Sequence, residues 1–392
     1  MKDYTQFFEK FEDCNPIPFL YEEGLTHSQI EEFIIIMFKP YFKNQNFFEE
    51  TSIDLYLETW INFIAFKTRE QFEFTEKILK LYNDAYSIDS KYTLETMFDY
   101  GDDFLEGLSK FWTFLNSEKK QKNFFDVEDY HNYILQSIGL VIEGASKPLL
   151  KELFQLNKLI KGDKFSKEKV DDYDLGILVD FLEHNDFQKL LRPKPLNIRV
   201  SQLRNMSYHH NASLQKNGVV KCSYGKGDKK IEFESTLSDL ELTLQNVLCY
   251  YNAIKLAREI FQWDNYKEIK SLRAHIKEEP KLRPEAMAAS IYMVISLAQF
   301  KMISLKTNDD NAYLVVQDLL IGEEDNRAVY SSQFLYNLWW YTDKDNLQVE
   351  YKDKNGKTRL VSKTTADVCS EIGKGKQTLA FMAKNVVFAT FN

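Results

Sequence analysis

Proline and glycine are sparse, at 8 and 14 in 392 residues. So few chain breakers favour long helices over punctuated turns. Cysteine is scarcer still: Cys14, Cys222, Cys249 and Cys369 are widely scattered, with no C-x-x-C pair and no Cys/His cluster. Neither a zinc site nor a disulfide framework is therefore expected. The D-x-D-x-D-G pattern of a calcium loop is also missing. Long apolar runs are lacking too: the longest uncharged apolar stretch, Ala286 to Phe300, has 15 residues, short of the roughly 20 that span a bilayer. The opening Met1-Lys2-Asp3-Tyr4 has no apolar signal region, so a cytoplasmic protein without membrane contact is expected. Basic residues are outnumbered, 50 against 59, for a net charge of −9. That argues against general coating of nucleic acid, which rests on broad phosphate neutralisation. A focused basic cleft remains compatible with it.

Against these absences, 44% hydrophobic and 28% charged residues describe ordinary globular material with an ample core. The length predicts two or three domains. One stretch departs from the acidic background. Residues 188–227 hold eight Lys or Arg and no Asp or Glu. At its centre lies Ile198-Arg199-Val200-Ser201-Gln202-Leu203-Arg204-Asn205-Met206-Ser207-Tyr208-His209-His210, with two of the chain's six histidines side by side.

This combination has a chemical rationale. Metal-free cleavage of RNA needs a group to take the 2′-OH proton and return one to the leaving 5′-oxygen. Imidazole suits both tasks near neutral pH. A fixed cation on the phosphorane oxygens is also needed, and the planar fork of Arg binds two oxygens at once. An amide such as Asn205 can orient the histidine or donate to phosphate. On a helix Asn205 and His209 share a face, whereas Arg204 and His209 stand about 140° apart round the axis. A kink, side-chain reach or a second copy of the helix is needed to join that pair.

Arg204-Asn205-x-x-x-His209 resembles the R-x(4–6)-H signature of HEPN domains, helical bundles many of which are metal-independent RNases of toxin–antitoxin, abortive-infection and CRISPR systems. The flanks are similar: a helix over Tyr130 to Ala145 leads into Lys147-Pro148-Leu149-Leu150, followed by a Leu175-Gly176 helix, Arg192-Pro193 and the motif helix. The resemblance covers residues 125–265. It implies Arg204 and His209 as the catalytic pair, RNA as substrate, no cofactor or metal, and a homodimer in which two motifs build one site. It further implies a growth-arrest or antiphage role, with an antitoxin or phage-derived protein as regulator. The tyrosine that antitoxin-modified members carry two residues after the histidine is absent, since His210 and Asn211 follow His209. Control by modification of that tyrosine is not expected. His210 is either a supporting base or a neighbour.

Lys189, Arg192, Lys194, Arg199, Lys221 and Lys226 are the candidate RNA contacts, as phosphate-positioning cations. The last two lie on an expected hairpin, Val219 to Tyr224 and Lys230 to Phe233, whose lysines either meet phosphate or simply face water. His131 and His184 read as structural or exposed.

The fold expected is mainly α: a HEPN-like bundle with a flanking helical domain, small β-hairpins and some β at the C-terminus. Three regions are expected, with an N-terminal helical domain over 1–120, a HEPN-like domain over 121–265 and a mixed accessory domain over 266–392. Thr26 to Gln29 predicts a capping box. A helix is predicted over Pro284 to Leu305. Ala312 to Val316 reads as strand or buried helix, and Val386 to Phe391 looks strand-like. Leu347 to Tyr351 and Thr358 to Val361 form a hairpin across Asn355-Gly356. Trp339-Trp340-Tyr341 serves either as core or as a stacking platform for a base. Gly373 to Thr378 lacks the spacing of a phosphate loop. Two other functions fit the same residues. One is a non-catalytic RNA- or nucleotide-binding module. The other is a structural protein in which Arg204 and Asn205 hold a buried polar network.

Overall fold

A computed structural model describes residues 1–5, 15–66, 68–120, 126–209, 211–215, 218–225, 227–273, 283–320, 324–374 and 376–391. In chain order the elements begin with β1 (Lys2–Asp3), α1 (Ile17–Glu22), α2 (His27–Phe38), α3 (Phe47–Glu50) and α4 (Leu57–Ile64). Next come α5 (Arg69–Ile88), α6 (Ser90–Asp99), α7 (Gly101–Lys120), α8 (Val127–Leu140) and α9 (Lys147–Ile160). The middle holds α10 (Lys167–Asp171), α11 (Leu175–Leu182), α12 (Gln188–Leu191), α13 (Val200–Tyr208), β2 (Ala212–Leu214), β3 (Val219–Tyr224) and β4 (Ile231–Thr236). Then follow α14 (Leu237–Asp264), α15 (Tyr266–Arg273), α16 (Pro284–Leu297), β5 (Phe300–Thr307) and β6 (Asn311–Asp318). The chain closes with α17 (Glu324–Tyr330), α18 (Phe334–Thr342), β7 (Asn346–Lys352), β8 (Thr358–Thr365), α19 (Ala366–Gly373), α20 (Leu379–Asn385) and β9 (Val387–Thr390). Two compact units result: Met1–Pro40, Phe48–Ile61 and Lys281–Asn392 form one, and Tyr41–Phe47 with Asn62–Pro280 form the other.

The first unit corrects the expected fold class. It contains a six-stranded mixed sheet in the order β1-β5-β6-β7-β8-β9, which is far more than hairpins decorating helices. Strands β6 and β7 run parallel, Leu314 opposite Val349, and all other pairs are antiparallel. A parallel neighbour needs a crossover, and α17 and α18 provide it. The helix predicted through Leu305 stops at Leu297. Gln299 turns to φ +62°, a left-handed conformation that no helix continues through. From Phe300 burial follows the strand period: Phe300 and Met302 are buried and Lys301 is exposed. Strand β6 alternates the same way along its whole length.

The side chains of α16, including Ile291 and Ile295, share one core with Leu305, Leu314, Val349 and Tyr351 of the sheet and Leu335 and Leu338 of α18. Trp339 packs against that core while Trp340 is exposed. The Asp318 carboxylate, 2% exposed, receives the Arg327 guanidinium and the Tyr351 hydroxyl (3.0 Å). Arg327 Nη2 also donates to the carbonyls of Ala298 and Gln299, satisfying the open end of α16. The predicted capping box at Thr26 is present, with Gln29 N donating to the Thr26 hydroxyl.

In the second unit α5 lies along α14. Phe74, Ile78, Leu81, Tyr82 and Ala85 recur at helical spacing on the buried face of α5, and the Tyr82 and Phe261 rings stack at 5.1 Å. Beneath them, Tyr82 donates to Glu152 Oε1 (2.8 Å) and Arg258 Nε to Glu152 Oε2 (2.9 Å), with both charged side chains buried. Burial pushes the Glu152 carboxyl above its usual range, against the pull of Arg258. The unit also holds a three-stranded antiparallel sheet, β2-β3-β4, wider by one strand than the predicted hairpin.

Candidate functional site

The site is built on one long helical segment, Val127 to Ile160. It winds as an α-helix through α8, widens to a π-helix over Val141–Ser146, and returns to α-helix in α9. Pro148 supplies a local reason. It has no N–H for the carbonyl four residues back, and its ring crowds that position, so a widened turn just before it relieves the ladder. On that turn sits Glu143.

The motif helix α13 packs across this segment. Gly139 permits the approach: a Cβ there would lie 3.0 Å from Ser207 Cβ and 3.3 Å from the Tyr208 ring. Glu143 Oε2 then falls 2.9 Å from Arg204 Nε, and Glu143 Oε1 falls 2.6 Å from Lys147 Nζ. The Arg204 contact is close but not aligned as a hydrogen bond, for neither Nε nor Oε2 has a hydrogen-bond partner. Arg204 Nη1 donates to Asn205 Oδ1 (3.1 Å). The guanidinium is thus held in place by charge, without the paired hydrogen bonds that would lock it.

His209 lies at the C-cap of α13. Its backbone N–H donates to the Asn205 carbonyl (3.0 Å), and its ring is exposed with no hydrogen bond among the described residues. The structure therefore brings Arg204, Asn205, Glu143 and Lys147 together and leaves the His209 ring outside that cluster. The chain passes from the motif straight into the small sheet: Asn211 N donates to the Met206 carbonyl, and Ser223 N to the Asn211 carbonyl. Val220 and Cys222 of β3 are buried, and Lys221 between them is exposed. Burial pushes the Cys222 thiol up to about 11.

A cleft of about 290 Å³ borders this cluster, lined by Glu143, Lys147, Lys110, Lys151, Tyr208 and neighbours. Its lysines are ion-paired: Lys110 with Glu106 (2.7 Å), Lys147 with Glu143 (2.6 Å) and Lys151 with Asp171 (2.7 Å). A phosphate entering here competes with carboxylates.

The remaining expected RNA contacts fall in several places. Arg192 and Arg199 both clasp Glu183, each through Nε at 2.7 Å, and Arg199 also reaches Asp180 (3.1 Å). Lys194 Nζ stands 3.7 Å from Glu70. Lys189 is exposed on α12. Lys226 and His210 lie outside the described residues. His131 is buried at 2% exposure, its Nε2 lacks a partner, and burial lowers its pKa. His184 is exposed, with Nδ1 at 2.6 Å from the Asp180 carbonyl. Glu143 and Lys147 went unnoticed in the sequence. Their i,i+4 spacing signals only a helix-surface pair, and nothing local ties them to Arg204.

Among the described residues no group of three His, Cys, Asp or Glu is placed to hold a metal ion. No described helix is long and apolar enough to cross a membrane. No protein-family model, curated protein or solved structure matches this chain.

Proposed function

We propose that this chain is a metal-independent endoribonuclease of HEPN type, working in the cytoplasm as a homodimer on RNA. The supporting observation is the motif cluster: an Arg204 guanidinium ion-paired with Glu143 and hydrogen-bonded to Asn205, with an exposed His209 imidazole at the end of the same helix. In the reaction the 2′-oxygen attacks phosphorus and the bond to the 5′-oxygen breaks. His209, from this chain and its copy, takes the first proton and supplies one to the leaving oxygen. Arg204 turns from Glu143 to the phosphorane oxygens, and Asn205 orients it. The products are a 2′,3′-cyclic phosphate and a free 5′-hydroxyl. A role in growth arrest or phage defence, under an antitoxin or phage-derived regulator, follows by analogy with the family.

The test is RNA cleavage in EDTA by wild type and His209→Ala. Cyclic-phosphate ends from wild type that disappear in the variant support the reading. Intact RNA across tRNA, mRNA and rRNA, or cleavage that persists in the variant, overturns it.

One observation favours a second reading, that of a polar network without catalysis. The Arg204–Asn205 hydrogen bond and the Glu143 pair are also what a purely structural cluster contains. Under that reading Arg204→Ala lowers the melting temperature, and no wild-type cleavage exists to be lost.

A further inference from the structure

A cavity of about 660 Å³ opens beside the start of the motif helix, where Arg199, Asp180 and Asp174 line it; Arg204, Asn205, Glu143 and Lys147 do not. Its wall is a small aromatic cluster in the segment from α9 to α11. Phe154 is buried, and Phe165, Tyr173 and Phe181 are packed around it. Phe154 meets Tyr173 edge-on at 5.5 Å and Phe181 at 4.7 Å. Lys158 reaches in among these rings. Lys158 Nζ is 4.4 Å from the Phe181 centroid, 5.3 Å from Phe165 and 5.7 Å from Phe154.

Ring faces attract an ammonium, yet they do not neutralise it as a carboxylate does. Among the described residues no carboxylate lies within ion-pair distance of Lys158, and the same is true of Lys169, 3.7 Å from the Phe165 centroid. By contrast, the neighbouring Lys151, Lys164 and Lys167 are all paired with aspartates. A cation held by rings, with no carboxylate paired to it, is suited to a ligand that brings both an anion and a planar ring. The mouth adds hydrogen-bond acceptors. Asp174 caps α11 through Oδ1 (2.9 Å to Ile177 N), which leaves its other oxygen for hydroxyls or an amino group. Bare phosphate would leave the rings unused, and a plain aromatic would leave Lys158 unused.

We propose that this cavity is a nucleotide site. It takes the base against the Phe165, Tyr173 and Phe181 rings, the phosphate on Lys158, and the ribose hydroxyls at Asp174. The volume lies within the range of ordinary small-molecule pockets, about 300–1,000 Å³. Its occupant is either a free nucleoside monophosphate or the terminal nucleotide of an RNA. The proposal goes beyond the endoribonuclease reading and does not depend on it.

The test is calorimetric titration of the full chain with the four nucleoside 5′-monophosphates, with ribose 5-phosphate and the free nucleosides as controls. At least one monophosphate binds saturably, and both controls bind at least about tenfold more weakly. Lys158→Met weakens binding by about tenfold or more, and Lys158→Arg retains it. Ile177 is 48% exposed at the rim, so substitutions there spare the fold. Ile177→Glu weakens binding by repelling the phosphate, and Ile177→Lys does not. Arg204→Ala binds as wild type does, which separates this site from the cleavage reading. A short RNA with a terminal phosphate that binds more tightly than the mononucleotide, and loses that affinity in Ile177→Glu, assigns the site to RNA ends. Equal or weaker RNA binding assigns it to the free nucleotide. No saturation by any monophosphate up to about 10 mM, or binding unchanged in Ile177→Glu and in a folded Lys158→Met, overturns the proposal.

Discussion

Arg204 Nε stands 2.9 Å from Glu143 Oε2, while Glu143 Oε1 is 2.6 Å from Lys147. The carboxylate is therefore shared between two cations from different parts of the chain. Removing Arg204 leaves Glu143 neutralised by Lys147, so no orphaned charge remains. All three side chains are partly exposed, between 24% and 30%, and solvent weakens such pairs. Arg204→Ala is accordingly expected to cost no more than about 1 kcal/mol of stability, while cleavage falls by about a hundredfold or more. Parallel thermal melts and cleavage rates check this. A variant that melts far below wild type contradicts the arrangement described.

Gly139 lets α8 and the motif helix approach closely. A methyl group there sits 3.0 Å from Ser207 Cβ, an atom fixed to backbone, so α13 has to move. Gly139→Ala is expected to lower stability by about 1–3 kcal/mol and to displace Arg204 relative to Glu143. Cleavage should fall further than stability alone explains. Urea titration beside single-turnover cleavage measures both.

The Tyr82–Glu152–Arg258 network is of another kind, since Glu152 is 0% exposed and Arg258 3%. Arg258→Ala leaves a buried carboxylate with only the Tyr82 hydroxyl for company. The expected loss is about 3–5 kcal/mol. The double change Glu152→Leu with Arg258→Met removes both charges and should recover most of that loss. Denaturant unfolding followed by tyrosine and tryptophan fluorescence decides it, and a double variant no better than the single one contradicts it.

His131 gives a dependence on pH. Burial holds its native pKa below the ordinary histidine value, so as pH falls the unfolded chain binds a proton that the native chain refuses. Stability is then lost as pH drops through the unfolded value, near 6.5, towards the lowered native one. His131→Gln removes this contribution. Between pH 7 and pH 5 its melting temperature should decline less steeply than that of wild type, and identical slopes would contradict the assignment.

Local sequence carried a good part of the fold. The Thr26 cap, the β3–β4 and β7–β8 hairpins and the motif helix depend on residues a few positions apart, and their side-chain chemistry is readable in order. Strand β5 escaped because the apolar run of α16 leads into it, and the break rests on the φ of one residue, Gln299. The six-stranded sheet escaped for a different reason: β1 at the chain's start pairs with β5, and β6 takes a parallel partner beyond two helices. No short-range pattern encodes such pairings.

The same division holds at the two candidate sites. The sequence by itself determined which groups are available: a basic window, an arginine and an asparagine side by side, a histidine one turn on, and the aromatic residues between α9 and α11. Only the tertiary structure decided what each group faces. It set Glu143 against Arg204, gave Arg192 and Arg199 a shared partner in Glu183, and left Lys158 among rings with no described carboxylate within ion-pair distance. Charge pairing acts over a few ångströms, and which charges come that close is fixed by helix packing, as at Gly139 for Arg204 and Glu143.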